Sequence, residues 1–352
     1  LVFSTEHDDS LGLWADTQAA FTPTQSLLVT GPNEVFRFDS SGHLAGQLGR
    51  EGDGPGEFRN PFQLRVGADS SVLVGDRTGR ITQFRITGEV TRVIPRLHSP
   101  ASIELDPISG LADGRLLVTY WQQRPNRGGH PGITAGSIER DSAPLMVYDS
   151  VGHPIGGLGL WQGLERAEVQ LEGEAARLPV PFARSVVYDG RGDRTVIGPS
   201  DSVDFSVYVG INLVLRLIGP AEASPPRAEA VDRWERAVLE AYPDVAPTYL
   251  RAIRPAAPVS SVPALGGVLV DDQGNIWVGA YATAQQPTRR WWIFSDRGVA
   301  LGQLDLPTLT DPLLPGRVEL LDVAGDRLAL LRVTESGEHI VEVRVIQRPA
   351  KG

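Results

Sequence analysis

Apolar and polar residues alternate along most of the chain in short runs, each closed by a turn rich in glycine, aspartate, asparagine or proline. This is the pattern of half-buried antiparallel strands. Glu34-Val35-Phe36-Arg37-Phe38-Asp39, then Ser40-Ser41-Gly42, then His43-Leu44-Ala45-Gly46-Gln47-Leu48 reads as strand, tight turn and strand. The phrase returns over 79–90, 144–155 and 290–302. A second phrase precedes the later copies, at 67–76, 111–119, 269–279 and, more faintly, 321–330. Two hairpins in series make a four-stranded unit of roughly 40 residues, the sheet size and period of a propeller blade.

Tiling the chain in this way gives six units, which begin near Gly12, Pro61, Pro100, Leu178, Val259 and Pro315. The sequence therefore predicts one all-β domain over 1–352, a six-bladed β-propeller. Residues 1–6 supply the strand that the last unit lacks, which removes the two free edges of an open array. Two stretches break the rhythm. Residues 122–141 are polar and glycine-rich and read as a long loop inside the third unit. Residues 221–256 form a helical insertion between the fourth and fifth units. There Val231, Trp234, Val238 and Tyr242 share one face, Ser224-Pro225-Pro226 marks the start and Pro243 a stop, and a second short turn covers 248–253.

At Gly49-Arg50-Glu51-Gly52-Asp53-Gly54-Pro55-Gly56-Glu57-Phe58-Arg59-Asn60-Pro61 the chain resembles the NHL-like six-bladed β-propellers of exported bacterial proteins. The phrase Asp271-Asp272-Gln273-Gly274-Asn275-Ile276-Trp277-Val278, followed by Trp292-Ile293-Phe294-Ser295-Asp296-Arg297-Gly298, carries the same resemblance. It extends from about Ser26 to Ile346 and implies a fold without implying one function, since such rings serve as lyases, lactonases, sensors and binding modules. The fourth unit departs from the family phrase at Ser206-Val207-Tyr208-Val209-Gly210-Ile211-Asn212, where no aspartate-to-glycine turn occurs.

Charge and composition narrow the chemistry. The formal charge is −10, which disfavours nucleic acid as a partner, because phosphate binding needs a basic footprint. There is no cysteine, and Lys351 is the only lysine among the 33 basic residues. Thiolate metal sites, cysteine nucleophiles and, outside the tail, Schiff-base or P-loop lysines are excluded. No apolar run is long enough to cross a bilayer as a helix. The chain opens on Leu1 and its only methionine is Met146. A removed export signal would explain that start, as would a boundary set for another reason.

The candidate sites compete with plainer readings. Glycines 52, 54 and 56 suggest a phosphate cradle, but Phe58 leads into a strand and not a helix, which makes the segment an interblade turn. Asp271, Asp272 and Asn275 offer hard oxygen ligands for a divalent cation, as do Glu51, Asp53 and Glu57, yet such residues also populate turns. The six histidines form no H-x-x-H pair, and no G-x-S-x-G elbow occurs. Arg191-Gly192-Asp193 spells an adhesion tripeptide but has the composition of a hairpin turn.

The aromatic and arginine clusters point to partner binding. Tyr120 and Trp121 open the long loop, with Arg124 and Arg127 inside it, while Tyr281, Arg289, Arg290 and Trp291 sit in the fifth unit. Adjacent Trp291 and Trp292 point to opposite faces of one strand. One of them is therefore exposed unless a neighbour covers it; the plainer reading puts one in the interblade core and the other under the helical insertion.

The leading expectation is a non-catalytic binding or scaffold module without a cofactor, located in the periplasm or outside the cell. In that class the resemblance suggests a membrane-extrinsic subunit on the periplasmic surface of a membrane complex, such as a photosynthetic reaction centre with its light-harvesting ring. The alternatives are a metal-dependent lyase or lactonase with a divalent cation in the central channel, and a carbohydrate or small-ligand binder using exposed tryptophans.

Overall fold

The computed structural model describes residues 2–5, 11–14, 16–67, 69–98, 105–120, 137–171, 174–220, 228–256, 262–282, 286–308, 320–334 and 336–347. A short strand, β1 (Phe3–Ser4), precedes the first sheet, β2 (Ala19–Phe21), β3 (Leu27–Thr30), β4 (Val35–Phe38) and β5 (Leu44–Leu48). The glycine-rich linker holds β6 (Arg50–Glu51) and β7 (Glu57–Phe58), paired in parallel. The second sheet is β8 (Pro61–Val66), β9 (Ser71–Asp76), β10 (Ile81–Arg85) and β11 (Val90–Ile94). The third has five strands, β12 (Leu105–Gly110), β13 (Leu116–Tyr120), β14 (Ile138–Tyr148), β15 (Pro154–Leu171) and β16 (Glu174–Pro179).

The fourth sheet is β17 (Val186–Arg191), β18 (Arg194–Pro199), β19 (Val203–Val209) and β20 (Asn212–Gly219). Helices α1 (Ala228–Ala241) and α2 (Ala246–Ala256) follow it. The fifth sheet comprises β21 (Leu265–Val270), β22 (Ile276–Ala280), β23 (Thr288–Phe294) and β24 (Ala300–Pro307). In the last, β25 (Leu320–Ala324), β26 (Arg327–Val333) and β27 (His339–Val345) take β1 as their fourth strand.

The first strand of each sheet packs on the first strand of the next: β2 on β8, β8 on β12, β12 on β17, β17 on β21, β21 on β25, and β25 back on β2. That closed cycle is a β-propeller around a central channel. A separate apolar core fills each junction. Leu27 and Val29 face the last sheet, for example, while Leu28 between them faces the second. With both faces covered, β3 and β13 are buried at every position, which is why their sequences read as continuous apolar runs. Phe58 from the linker is buried in the core between the first and second sheets.

Closure rests on β1. Val2 N donates to Val343 O at 2.7 Å, Thr5 N donates to Val341 O at 3.0 Å, and Val341 N donates to Thr5 Oγ1 at 2.9 Å. The Phe3 ring stacks 5.9 Å from Phe38 of the first sheet. One turn design recurs around the ring. Asp39, Asp76, Asp149 and Asp271 each accept backbone N–H groups from the residues two and four further on, and a glycine with positive φ sits three further on. The fourth sheet replaces this device with a two-residue hairpin, Gly210-Ile211, in which Gly210 has φ 58°.

The structure corrects four expectations. Leu178 does not open the fourth unit but lies in β16, paired with Ala167, because β14 and β15 run beyond the usual blade length and need a partner. Residues 138–141, expected in a loop, belong to that extension, where Arg166 Nε binds the buried Asp141 at 2.7 Å. Tyr242 lies one residue beyond α1 and is exposed, while Trp234 of α1 is buried against Phe182 and Tyr249. Trp292 packs in the core between the fourth and fifth sheets and not under the helices, which cover β15 and β16 instead.

Candidate functional site: the channel and its mouth

The innermost strands carry polar residues where an ordinary buried strand is apolar, and these converge on the channel. Arg191 of β17 donates from Nη1 to both oxygens of Asp322 of β25 at 2.7 and 2.8 Å, and from Nη2 to Phe21 O of β2 at 2.7 Å. Phe21 N and Val323 N donate back to Asp322. One ion pair thus ties three sheets together across the axis. Burial pushes Asp322 up to about 6 against the opposing pull of Arg191. Burial also raises Asp189, countered by the Arg65 charge and by Val270 N at 2.8 Å. Arg65 itself donates to Ile108 O and Leu64 O. These groups line a narrow cavity of about 190 Å³, and each is committed to hydrogen bonds that hold neighbouring blades.

At the end of the channel where the innermost strands begin, a wider cavity of about 330 Å³ opens. Asp106 of β12 forms its centre, accepting from Gln63 Nε2 at 2.6 Å and from the Tyr188 hydroxyl. Gln63 is buried, and Gly75 opposite it makes the room, since a Cβ there would collide with Gln63 Oε1. Arg77 holds Asp16 at 3.2 Å and lies 4.7 Å over the Phe62 ring. Arg65, Gln18 and Tyr120 complete the lining. Burial raises the Tyr120 phenol.

Of the residues singled out in the sequence, Tyr120 alone lines this cavity. Trp121, Arg124 and Arg127 lie outside the described residues. Tyr281 packs with the helical cluster around Trp234, and burial pushes its phenol up. Arg289 and Trp291 are corrected as exposed anchors. They are 2% and 1% exposed, and Trp291 fills the core between the fifth and last sheets against Gly279. Arg290 is exposed but forms a two-pronged pair with Asp305 at 2.9 Å.

Asp271 accepts from Gln273 N, Asn275 N, Asn275 Nδ2 and Trp277 Nε1, which occupy the lone pairs a cation would need. Asp272 accepts from Gly325 N of the last sheet. These residues cap a turn and join two blades. Arg191 of the adhesion-like tripeptide is the channel residue described above, buried and bonded, and Gly192-Asp193 is a two-residue turn.

Sequence reading missed Gln63, Asp106, Tyr188 and Asp322, and took Arg191 only as part of a hairpin turn. The available signal was a polar residue interrupting the first strand of a unit, as in Pro61–Val66 and Leu320–Ala324.

A second feature lies at the opposite end of the ring, where the two outermost strands of each sheet turn. Val151 and Ile155 of the third sheet, Leu213 and Val214 of the fourth, and Val299 and Leu301 of the fifth are each more than half exposed. The three sheets are continuous there. Tyr208 donates to Leu158 O at 3.3 Å, and a Cβ at Gly298 would stand 3.2 Å from Leu215. Exposed apolar side chains therefore recur at this end of three successive blades, on the end of the ring away from Tyr120, Tyr281, Arg289, Arg290 and Trp291.

No protein-family model and no curated protein matches the chain. Among solved structures it is similar to an exported protein of Bacteroides fragilis, at 10% identity, TM-score 0.46, and coverage of 94% of this chain and 90% of that one. It is similar also to a DUF4221 family member of Bacteroides vulgatus, at 8% identity, TM-score 0.48, and coverage of 95% and 94%. A virginiamycin B lyase of Staphylococcus aureus aligns at 10% identity and TM-score 0.40 over 99% of this chain and 89% of that one. The propeller assignment rests on the cycle of sheet contacts and not on these likenesses. Among the described residues, no helix is long and apolar enough to cross a membrane.

Proposed function

We propose that this chain is a six-bladed propeller that works as a non-catalytic binding scaffold. It docks on a protein partner through the apolar rim of its third to fifth blades. The observation that supports this reading is the recurrence of exposed apolar side chains at one end of three successive blades, Val151, Ile155, Leu213, Val214, Val299 and Leu301, since apolar residues gathered on one face of a folded protein mark an interaction site. The channel supports binding over catalysis, because Asp189, Asp322 and Arg191 are spent on joining blades. The partner that suits an exported propeller of this kind is the periplasmic surface of a membrane complex, and a photosynthetic reaction centre is the one the family resemblance suggests. The test is co-migration of the purified protein with detergent-solubilised membrane complexes. A Leu213→Asp, Leu301→Asp double variant should lose co-migration while melting at an unchanged temperature. Failure of the unaltered protein to co-migrate with any complex, or full co-migration of the variant, would refute the assignment.

A further inference from the structure

The cavity at the channel mouth has no part in the proposed docking, yet it is built as a binding site. We infer that it binds a neutral, polyhydroxylated ligand the size of one or two sugar rings. Its volume of about 330 Å³ stands at the lower end of small-molecule pockets, about 300–1,000 Å³.

Charge selects neutrality. The lining brings two carboxylates, Asp16 and Asp106, together with two guanidinium groups, Arg65 and Arg77. An anion entering here meets the first pair, and a cation meets the second. An apolar ligand would strip water from all four without replacing its hydrogen bonds, which is costly. A hydroxyl both donates and accepts, so vicinal hydroxyls suit a wall that alternates carboxylate, amide, phenol and guanidinium groups. The rings of Phe62, Tyr120 and Tyr188 supply flat apolar surface for the C–H faces of such a ligand.

The polar groups are also fixed in advance. Gln63 and Tyr188 hold Asp106 from two sides, Asp16 and the Phe62 ring hold Arg77, and two backbone carbonyls hold Arg65. Side chains pinned in this way lose little freedom when a ligand arrives, which is how a small site gains affinity.

The experiment is calorimetry and saturation-transfer NMR on the full chain with glucose, galactose, N-acetylglucosamine and cellobiose. Inorganic phosphate and choline serve as the anionic and cationic comparisons. Saturable binding of at least one sugar is expected. Asp106→Asn should weaken it by about tenfold or more, the effect of losing a hydrogen bond to a charged group. Should that variant fail to fold, Tyr188→Phe and Phe62→Leu carry the test, and each is expected to weaken sugar binding. Leu213→Asp on the rim should leave it unchanged, which separates this site from the docking surface. The inference is overturned if no sugar saturates, if phosphate or choline binds in place of the sugars, or if sugar binding survives every mouth substitution that folds.

Discussion

Replacing Arg191 by methionine tests the channel ion pair directly. The substitution keeps length and apolar volume but removes both Nη1 bonds to Asp322 and the Nη2 bond to Phe21 O. Asp322 is then a buried carboxylate without its cation, and breaking such a pair from one side costs about 3–5 kcal/mol. Asp322→Asn alone strands the guanidinium and should cost a similar amount. The double variant Arg191→Met, Asp322→Asn buries no charge, so its loss should fall short of the sum of the single losses by about 3 kcal/mol.

The pH dependence has a definite sign. Asp322 titrates at about 6 in the folded chain, above the ordinary unfolded value of about 3.9, so the folded state holds this proton more tightly. Its contribution to stability is therefore fully present below about pH 4 and is lost as the pH rises through 6; two units correspond to about 3 kcal/mol. Losing the Arg191 charge raises Asp322 further, so the Arg191→Met deficit should shrink on going from about pH 7.5 to 5. Urea unfolding of the four proteins at both values is the assay. Additivity within about 0.5 kcal/mol, or an Arg191→Met deficit that does not change with pH, would show that the pair does not act as a staple across the axis.

Other substitutions report on packing and on the turns. Trp291→Ala empties the core between the fifth and last blades and should cost about 3–5 kcal/mol in urea unfolding, an effect that an exposed anchor would not show. Gly75→Ala should push Gln63 off Asp106, shifting the Asp106 side-chain NMR signals with only a small change in melting temperature. Adding calcium should leave the melting temperature unchanged, because turn N–H groups already fill the Asp271 carboxylate. Asp271→Ala should destabilise by about 1–3 kcal/mol through the donors it leaves unpaired.

The ring was legible in the sequence because its information is local. Each hairpin is specified within a dozen residues by an aspartate, a glycine three positions on and two alternating runs, as in Asp271 to Val278. Asp76 and Asp149 repeat the same instruction elsewhere. The site was not legible because its partners are distant along the chain. Arg191 and Asp322 are 131 positions apart, and Phe21 and Asp322 are 301 apart. No turn phrase encodes such a meeting. The exposure of Trp291 was misjudged for a related reason: strand alternation says only that neighbouring tryptophans point to opposite sides. Whether a given side is wet depends on the next blade, and here both sides have one.

The pairing of Phe3 with Val343 also sets an order of events. Because the strand that completes the last sheet comes from the far end of the chain, the circle stays open while the polypeptide is being made. Individual blades can form early, but the seam between Phe38 and the last sheet is sealed only after Val343 has emerged. Such a long-range contact is slow to find. Until then the face of the first sheet that carries Leu27, Val29 and Phe38 lies uncovered, the stage at which this chain is most open to aggregation and to capture by a chaperone. Pulsed hydrogen exchange during refolding should accordingly show the amides of Thr5 and Val341 protected last.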